Sequence, residues 1–400
     1  MGVWPGRGRS CIAAASTVAL AQWVASDRAE PLLQTHAHRD VVAAALTAAH
    51  HRDATLAVVV DAAGSTYVRA GACALFAGGL QVGWLSGGCV EPGIARRAAQ
   101  CAERGGIGWM DIDTRDDDDL LSGAALGCRG RLHLALLPLR ALDGVDEALT
   151  AWLEGDGALA ISVEVDGTVV MATPQRSWRW TLPTAVEAGA RAAGDPRDQG
   201  VRVGHGRGGG PARSAVAGGG RIGAPGSGTD AVIDGSSRGA GVWHVTWPPP
   251  PRILLLGAGP EAPVLLPLLR ATGWRTVLAE DRARWQPCAA LADVHLGLPP
   301  AAAVTAAPPV LAALVMHHAF ERDREALAAL APTSVAFVGL LGPVRRREDL
   351  FRVLPAGVRT ALDGRLRSPV GLPLGGQGGE AIALSIAAQL QAWRHGEIKG

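Results

Sequence analysis

The sequence has almost no excess charge of either sign: lysine and arginine total 38 against 37 acids, a net charge of +1 over 400 residues. That balance supplies no electrostatic reason to expect nucleic acid or an anionic membrane as a partner. No CxxC spacing occurs among the six cysteines, Cys11, Cys73, Cys89, Cys101, Cys128 and Cys288. Scattered thiols argue against both a zinc ribbon and a disulfide framework, and read as reduced and cytoplasmic. A long apolar run is also missing beyond the N-terminal segment: no stretch of about 18 or more strongly apolar residues occurs, so no membrane span is expected.

Nearly half of the residues are hydrophobic, and the length exceeds what one ordinary core organises, so two globular domains with connecting material are expected. Residues 1–38 read as a poorly ordered extension. Arg7 and Arg9 precede an alanine-rich run ending Val18-Ala19-Leu20-Ala21, which is weak as a secretion signal and fits an extension or an early start codon better. From 39 to 187 the patterns predict an α/β domain. A helix over Asp40–His51 leads to strands at Ala54–Asp61, Ala72–Phe76, Gln81–Leu85 and Arg131–Leu137, with a helix over Pro92–Arg104. A helix at Val145–Leu153 and strands at Leu159–Val165 and Thr168–Ala172 extend it.

Residues 188–250 are dominated by Gly, Ala, Arg and Pro. Too few large apolar side chains remain to offset chain entropy, so this segment reads as a disordered linker. Its arginines lack the interleaved aromatics of a nucleic-acid-binding segment, and four prolines close it as a stiff spacer. From 251 to 396 the pattern changes again. Strand Arg252–Leu256, helix Glu261–Thr272 and strand Arg275–Ala279 form a βαβ unit, followed by strand ends at Asp293–Leu296, Leu311–Met316 and Ser334–Leu340. Such alternation predicts a Rossmann-like, doubly wound parallel sheet.

Two glycine turns carry the chemistry. Gly257-Ala258-Gly259-Pro260-Glu261-Ala262 follows an apolar strand and opens a helix, where two glycines let a backbone approach a pyrophosphate at the positive helix end. Glu280 ends the next strand, where an acid bonds a ribose hydroxyl, a pattern that favours NAD. The second turn, Ser86-Gly87-Gly88-Cys89-Val90-Glu91-Pro92, sets Cys89 at a helix start. Helix amides and macrodipole there stabilise a thiolate, although a small buried apolar cysteine is an equal reading. Another glycine-flanked thiol, Cys128, follows the acidic run Asp116–Asp119, which reads first as a solvated helix start near Thr114 and second as a cation site.

The segments AGSTYVRAGA (63–72), LSGGCVE (85–91), DTRDDDDLLSGAALGCRG (113–130), VMHHAFERD (315–323), FVGLLGP (337–343) and SPVGLPLGG with EAIALSI (368–386) occur in the order of the XdhC/CoxI family, which the chain therefore resembles over about 40–140 and 252–395. Members are accessory proteins of molybdenum hydroxylases such as xanthine dehydrogenase. The resemblance implies an XdhC/CoxI-like N-terminal domain and an XdhC Rossmann-like C-terminal domain in a non-enzymatic chaperone. Its cargo is molybdenum cofactor (molybdopterin), protected during sulfuration and inserted into a xanthine dehydrogenase or CO dehydrogenase-type apo-hydroxylase. A cofactor sulfurase is the second implied partner, and a homodimer is compatible.

Carried over residue by residue, the cofactor contacts are Cys89 with Ser86, Gly87, Gly88 and Glu91, then Cys128, Gly257, Gly259, Glu280 and His318. A phosphate-tailed pterin dithiolene suits a soft or hydrogen-bonding site with an amide cradle. The sequence departs from the family at His317, where threonine is frequent, at Pro373, and at Ala381 and Gln389, where acids are usual. Adjacent histidines chelate poorly, so His317 and His318 read as a polar pair at a strand end facing the cleft, with no metal assigned. Two other functions remain open. One is an NAD-dependent oxidoreductase, for which only His318 offers an acid or base; the other is a thiol redox protein in which Cys89 and Cys128 meet.

Overall fold

The computed structural model describes residues 38–113, 130–155, 157–184 and 241–397. The first expected extension, the acidic run with Cys128, and most of the expected linker therefore lie outside the described residues. Two units divide between Pro249 and Pro250, and each has its own core.

The N-terminal unit opens with helix α1 (His38–Ala48), then strands β1 (Thr55–Gly64), β2 (Cys73–Ala77) and β3 (Leu80–Val82), helix α2 (Glu91–Arg104), and strands β4 (Gly108–Asp113) and β5 (Gly130–Pro138). These strands make a five-stranded sheet in the order β3-β2-β1-β5-β4, and every pairing is antiparallel. Strand β1 shows why its composition is so apolar. Its continuous run of Leu, Ala and Val is buried because both sheet faces are covered. Leu56, Val58 and Val60 face one core, while Ala57 and Val59 face the other, where α2 contributes Ile94, Ala98 and Cys101. Alternate side chains thus enter opposite layers, as strand geometry requires.

Helix α3 (Val145–Glu154) and a second sheet complete the layer on the first face. Strands β6 (Leu159–Glu164), β7 (Thr168–Ala172), β8 (Ser177–Thr181) and β9 (Val242–Trp247) pair antiparallel in the order β8-β7-β6-β9. Strand β9 corrects the sequence-based boundary, because residues 242–247 were expected to belong to a disordered linker. The alternation of Trp243, Val245 and Trp247 was hidden by the glycine-rich stretch before it. Trp247 is fully buried. Its indole nitrogen donates to the Gly71 carbonyl at 2.7 Å, and its own carbonyl accepts from Trp152 at 3.2 Å.

The C-terminal unit runs β10 (Arg252–Leu256), α4 (Ala262–Ala271), β11 (Arg275–Ala279), β12 (Val294–Leu296), α5 (Pro300–Ala306), β13 (Ala312–Val315), α6 (Phe320–Leu330), β14 (Phe337–Leu340), α7 (Val344–Val353), α8 (Ala356–Leu362), β15 (Leu366–Arg367) and α9 (Gly379–Arg394). All six strands are parallel, in the order β12-β11-β10-β13-β14-β15. Numbered within the unit this is 3-2-1-4-5-6, the doubly wound Rossmann order. Ile253 and Leu255 pack beneath α4 and α9, whereas Leu254 and Leu256 pack beneath α6 and α7. The chain reverses its winding between β10 and β13.

Replacing Trp247 with alanine should cost about 3–5 kcal/mol, as expected for deleting a fully buried indole. Urea denaturation measures it, and a loss below about 1 kcal/mol, the range of an ordinary substitution, would show that β9 is not part of the core.

Candidate functional site

The turn between β3 and α2 is built on a buried carboxylate. Glu91, 4% exposed, accepts hydrogen bonds from the backbone amides of Ser86 at 2.8 Å and Leu85 at 3.3 Å, and from the Ser86 hydroxyl. Ser86 in turn accepts from the Gly88 amide at 3.1 Å. A buried carboxylate is tolerated only when hydrogen bonds replace its water, and here loop amides do so. The Glu91 carboxylate and the Ser86 hydroxyl, expected to contact a ligand, are thus engaged by the turn itself.

The same turn presents Cys89. Its thiol is free and exposed, and Sγ lies 3.7 Å from Ser86 Oγ. Gly87 is exposed, and Gly88 adopts φ +105°, a conformation natural to glycine. Val90 caps helix α2, which has proline in its first turn, so Cys89 sits just before the helix as expected. The other described cysteines, Cys73, Cys101 and Cys288, are buried, and burial pushes all three thiols up in pKa, away from reactive thiolate. Among the described residues, the one exposed thiol is thus Cys89. Its expected companion Cys128 lies outside them.

In the C-terminal unit the glycine turn after β10 lies where the strand order reverses, the usual ligand crevice of such sheets. Its interior is already occupied. Glu280, fully buried at its side chain, accepts from the Ala258 amide at 2.7 Å and from the Arg282 amide and Nε at 2.8 Å each. The same guanidinium donates to the carbonyls of Ala258 at 2.9 Å and His317 at 2.8 Å. Burial works against the charge of Glu280, but the hydrogen bonds from Arg282 and Ala258 outweigh it and hold the carboxyl below its ordinary range. Glu280 was expected to bond a ribose hydroxyl. In the structure it fastens the loop to the adjacent strand end.

Gly257 is required by its backbone conformation and packing inside the unit, while Gly259 lies against two side-chain ends. A Cβ on Gly257, at φ +93°, would lie 2.7 Å from the His317 Cα, and one on Gly259 would lie 2.5 Å from Glu261 and 2.7 Å from His318 Nε2. Glu261 itself, 1% exposed at the start of α4, puts a carboxylate at the helix end that would otherwise attract a phosphate. Its Oε1 is 3.2 Å from His318 Nε2. Beside this pair, buried Asp323 accepts from the His317 amide at 3.2 Å and from Arg346 Nε at 3.0 Å. The expected polar histidine pair is therefore split: His317 is 3% exposed and His318 half-exposed. Sequence reasoning missed Arg282, Asp323 and Arg346. Asp323 was signalled only as the last residue of the segment VMHHAFERD, and Arg346 only by its position after a strand end. Among the described residues no group of three or more His, Cys, Asp or Glu is arranged to hold a metal ion, and no helix is long and apolar enough to cross a membrane.

Residues 253–390 match the model of the XdhC Rossmann domain, and residues 47–113 match that of the XdhC and CoxI family; together they span slightly more than half of the chain. The chain is 24% identical over 364 residues to a probable xanthine dehydrogenase subunit of Bacillus subtilis strain 168, covering 84% of this chain and 92% of that protein. The crystal structure of a xanthine dehydrogenase from Bacillus halodurans superposes with a TM-score of 0.61 at 24% identity, over 85% of this chain and 90% of that one. That superposition establishes a shared fold.

Two outcomes follow from the carboxylate anchors. Glu91→Ala should destabilise the N-terminal unit by about 1–3 kcal/mol, because buried amides lose their acceptor; unchanged urea unfolding would show the anchor to be dispensable. Glu280 is depressed in pKa, so its contribution is complete above the unfolded value, about 4.3, and is lost as pH falls through the folded one. Stability measured against pH should therefore decline less steeply below about pH 4.3 in Glu280→Gln than in the parent, once their difference at neutral pH is subtracted. Parallel curves would remove Glu280 from the acid-sensitive groups.

Proposed function

Since the chain belongs to the XdhC/CoxI family, we propose that it is an accessory protein in the maturation of a xanthine dehydrogenase-type molybdenum hydroxylase, binding molybdenum cofactor, protecting it during sulfuration and inserting it into the apo-enzyme. The observation that carries this reading is the Cys89 thiol. It is exposed on a loop whose base is fixed by a buried carboxylate, inside the segment matched to the XdhC and CoxI family. A soft sulfur on a preorganised loop suits a molybdenum–dithiolene cargo that must be held and then released. Gly87 in the same loop is exposed, and a Cβ there would meet nothing within 4 Å.

The proposed role is capture and handover, without turnover. Cysteine is the contact because its sulfur coordinates or hydrogen-bonds a soft centre, and exposure lets a client or a sulfurase reach the same cargo. Glu91 and Ser86 act through the loop, setting where Cys89 stands. That the B. subtilis relative is named as part of a xanthine dehydrogenase supports the choice of client class. An NAD-dependent reading has less support, since Gly257 and Ala258 already commit their amides to Ala279 and Glu280 and Pro260 has none to give.

Protein purified anaerobically and then oxidised should release a fluorescent pterin. Cys89→Ala should lower that yield several-fold while leaving urea unfolding within about 0.5 kcal/mol of the parent, as for an exposed side chain. Absence of pterin under every condition of co-expression with the cofactor pathway would sink the proposal.

A further inference from the structure

The two histidines after β13 differ in one backbone respect. His318 has φ +57°, the single non-glycine residue with positive φ among the described residues. A left-handed conformation is unfavourable for a residue with a Cβ and is held in place by its surroundings. What it accomplishes is visible in the contacts. The turn carries the imidazole back over the glycine loop, where Nε2 meets Glu261 Oε1 at 3.2 Å. Glu261 is buried at its side chain, 2% exposed, while the His318 side chain is 49% exposed. An inner carboxylate orienting an outer imidazole is the arrangement in which a histidine's second nitrogen is available to a ligand or a proton.

Position adds to this. The pair straddles β10 and β13, the strands between which the winding reverses. Crevices at that point open to solvent at the carboxyl ends of the strands. Gly259 lies against the ends of the Glu261 and His318 side chains, so the feature that reads in sequence as a pyrophosphate cradle is lined by a carboxylate–imidazole pair.

We propose that His318, held by Glu261, is the ligand-facing group of a second binding site at the strand-order reversal of the C-terminal unit, and that this site takes a small ligand offering one carboxylate-type oxygen, excluding dinucleotide pyrophosphate. The inference goes beyond cofactor handling by the Cys89 loop and does not depend on it. In the bound state the imidazolium Nδ1–H donates to the ligand oxygen while Nε2–H donates to Glu261. The imidazolium is thus the cation that both carboxylates share. If the proton moves, the Nδ1–H bond breaks, an O–H bond forms on the ligand, and neutral His318 recovers a proton from solvent through its exposed edge.

The groups facing His318 set the pH range. On α4 the Glu261 carboxylate raises its pKa through the hydrogen bond, burial opposes, Asp323 on α6 raises it further, and Arg346 on α7 lowers it. The neighbouring His317 is buried, and Glu280 with Arg282 form their own pair across the loop. His318 therefore holds its proton to higher pH than free imidazole, and ligand affinity should be present below that folded pKa and fade as pH rises through it.

The probes are 13C-acetate, inorganic pyrophosphate and NADH, with the full chain labelled at histidine Cε1 and His318 assigned from the His318→Gln spectrum. Acetate should shift the His318 resonance saturably below its pKa, and protein-induced broadening of the acetate line should disappear in His318→Gln. In Glu261→Gln the His318 pKa should fall, because the hydrogen bond and charge of Glu261 are what raise it. Pyrophosphate and NADH should leave His318 unmoved. The proposal is overturned if His318 titrates at or below free imidazole, if acetate broadening is equal in the parent and His318→Gln, or if NADH shifts His318 saturably. Pterin yield from the same preparations is a separate reading, so a failed cofactor proposal and a failed anion site remain distinguishable.

Discussion

Both candidate sites rest on a single device, a buried carboxylate that accepts backbone amides from a glycine turn. Glu91 takes the Leu85 and Ser86 amides, and Glu280 takes those of Ala258 and Arg282. A carboxylate out of water is unfavourable by several kcal/mol unless such donors replace its hydration, and a turn rich in glycine offers amides without side chains in the way. Each therefore needs the other. In the N-terminal unit the result is a stiff platform for an exposed thiol. In the C-terminal unit the guanidinium of Arg282 joins the pair and ties the turn to the carbonyl of His317, leaving His318 as the exposed group.

This dependence explains why the two glycine motifs diverge chemically. At the β3–α2 turn the anchor lies beneath the loop, and the sequence between Ser86 and Glu91 must bulge outward, carrying Cys89 with it. At the β10–α4 turn the anchor comes from the neighbouring strand, and Glu261 also turns inward over the helix end. Positive partial charge at the start of α4 thus meets a carboxylate belonging to the protein itself. The parallel sheet reverses its strand order between β10 and β13 there, and the turn presents paired charges instead of bare amides.

Much of the fold was legible because hydrophobic period reports layers directly. The apolar runs of β10, β11, β13 and β14 separated by helices announce a doubly wound sheet, and Gly257-Ala258-Gly259 marks its first turn. Strand β9 was hidden for a compositional reason: it follows a long low-complexity stretch, and its pairing partner β6 lies about eighty residues earlier, a non-local contact that no window can register. The antiparallel character of the first sheet was hidden likewise, since continuous apolar strands look the same in either direction once both faces are covered. At the sites, Cys89 was legible from its place before a helix start. The destinations of Glu91 and Glu280 were not, because position along the chain does not specify whether a carboxylate turns toward a ligand or toward its own loop.

His318 draws these points together. In sequence it read as one of a polar pair with His317, as a cofactor contact implied by the family resemblance, and as the one candidate acid or base of an oxidoreductase. Tertiary packing separates them. His317 is enclosed with its amide on Asp323, so the chain must turn sharply to leave the strand end, and the turn falls on a residue with a Cβ. A glycine at 318 would make that turn without strain but would leave Glu261 buried without its imidazole partner. The strain at His318 and the burial of Glu261 thus stabilise one another: the imidazole neutralises the carboxylate, and the carboxylate holds the imidazole over Gly259. A pair set up in this way is rigid at its inner atom and open at its outer one, which is the physical condition for selecting a ligand by a single shared proton.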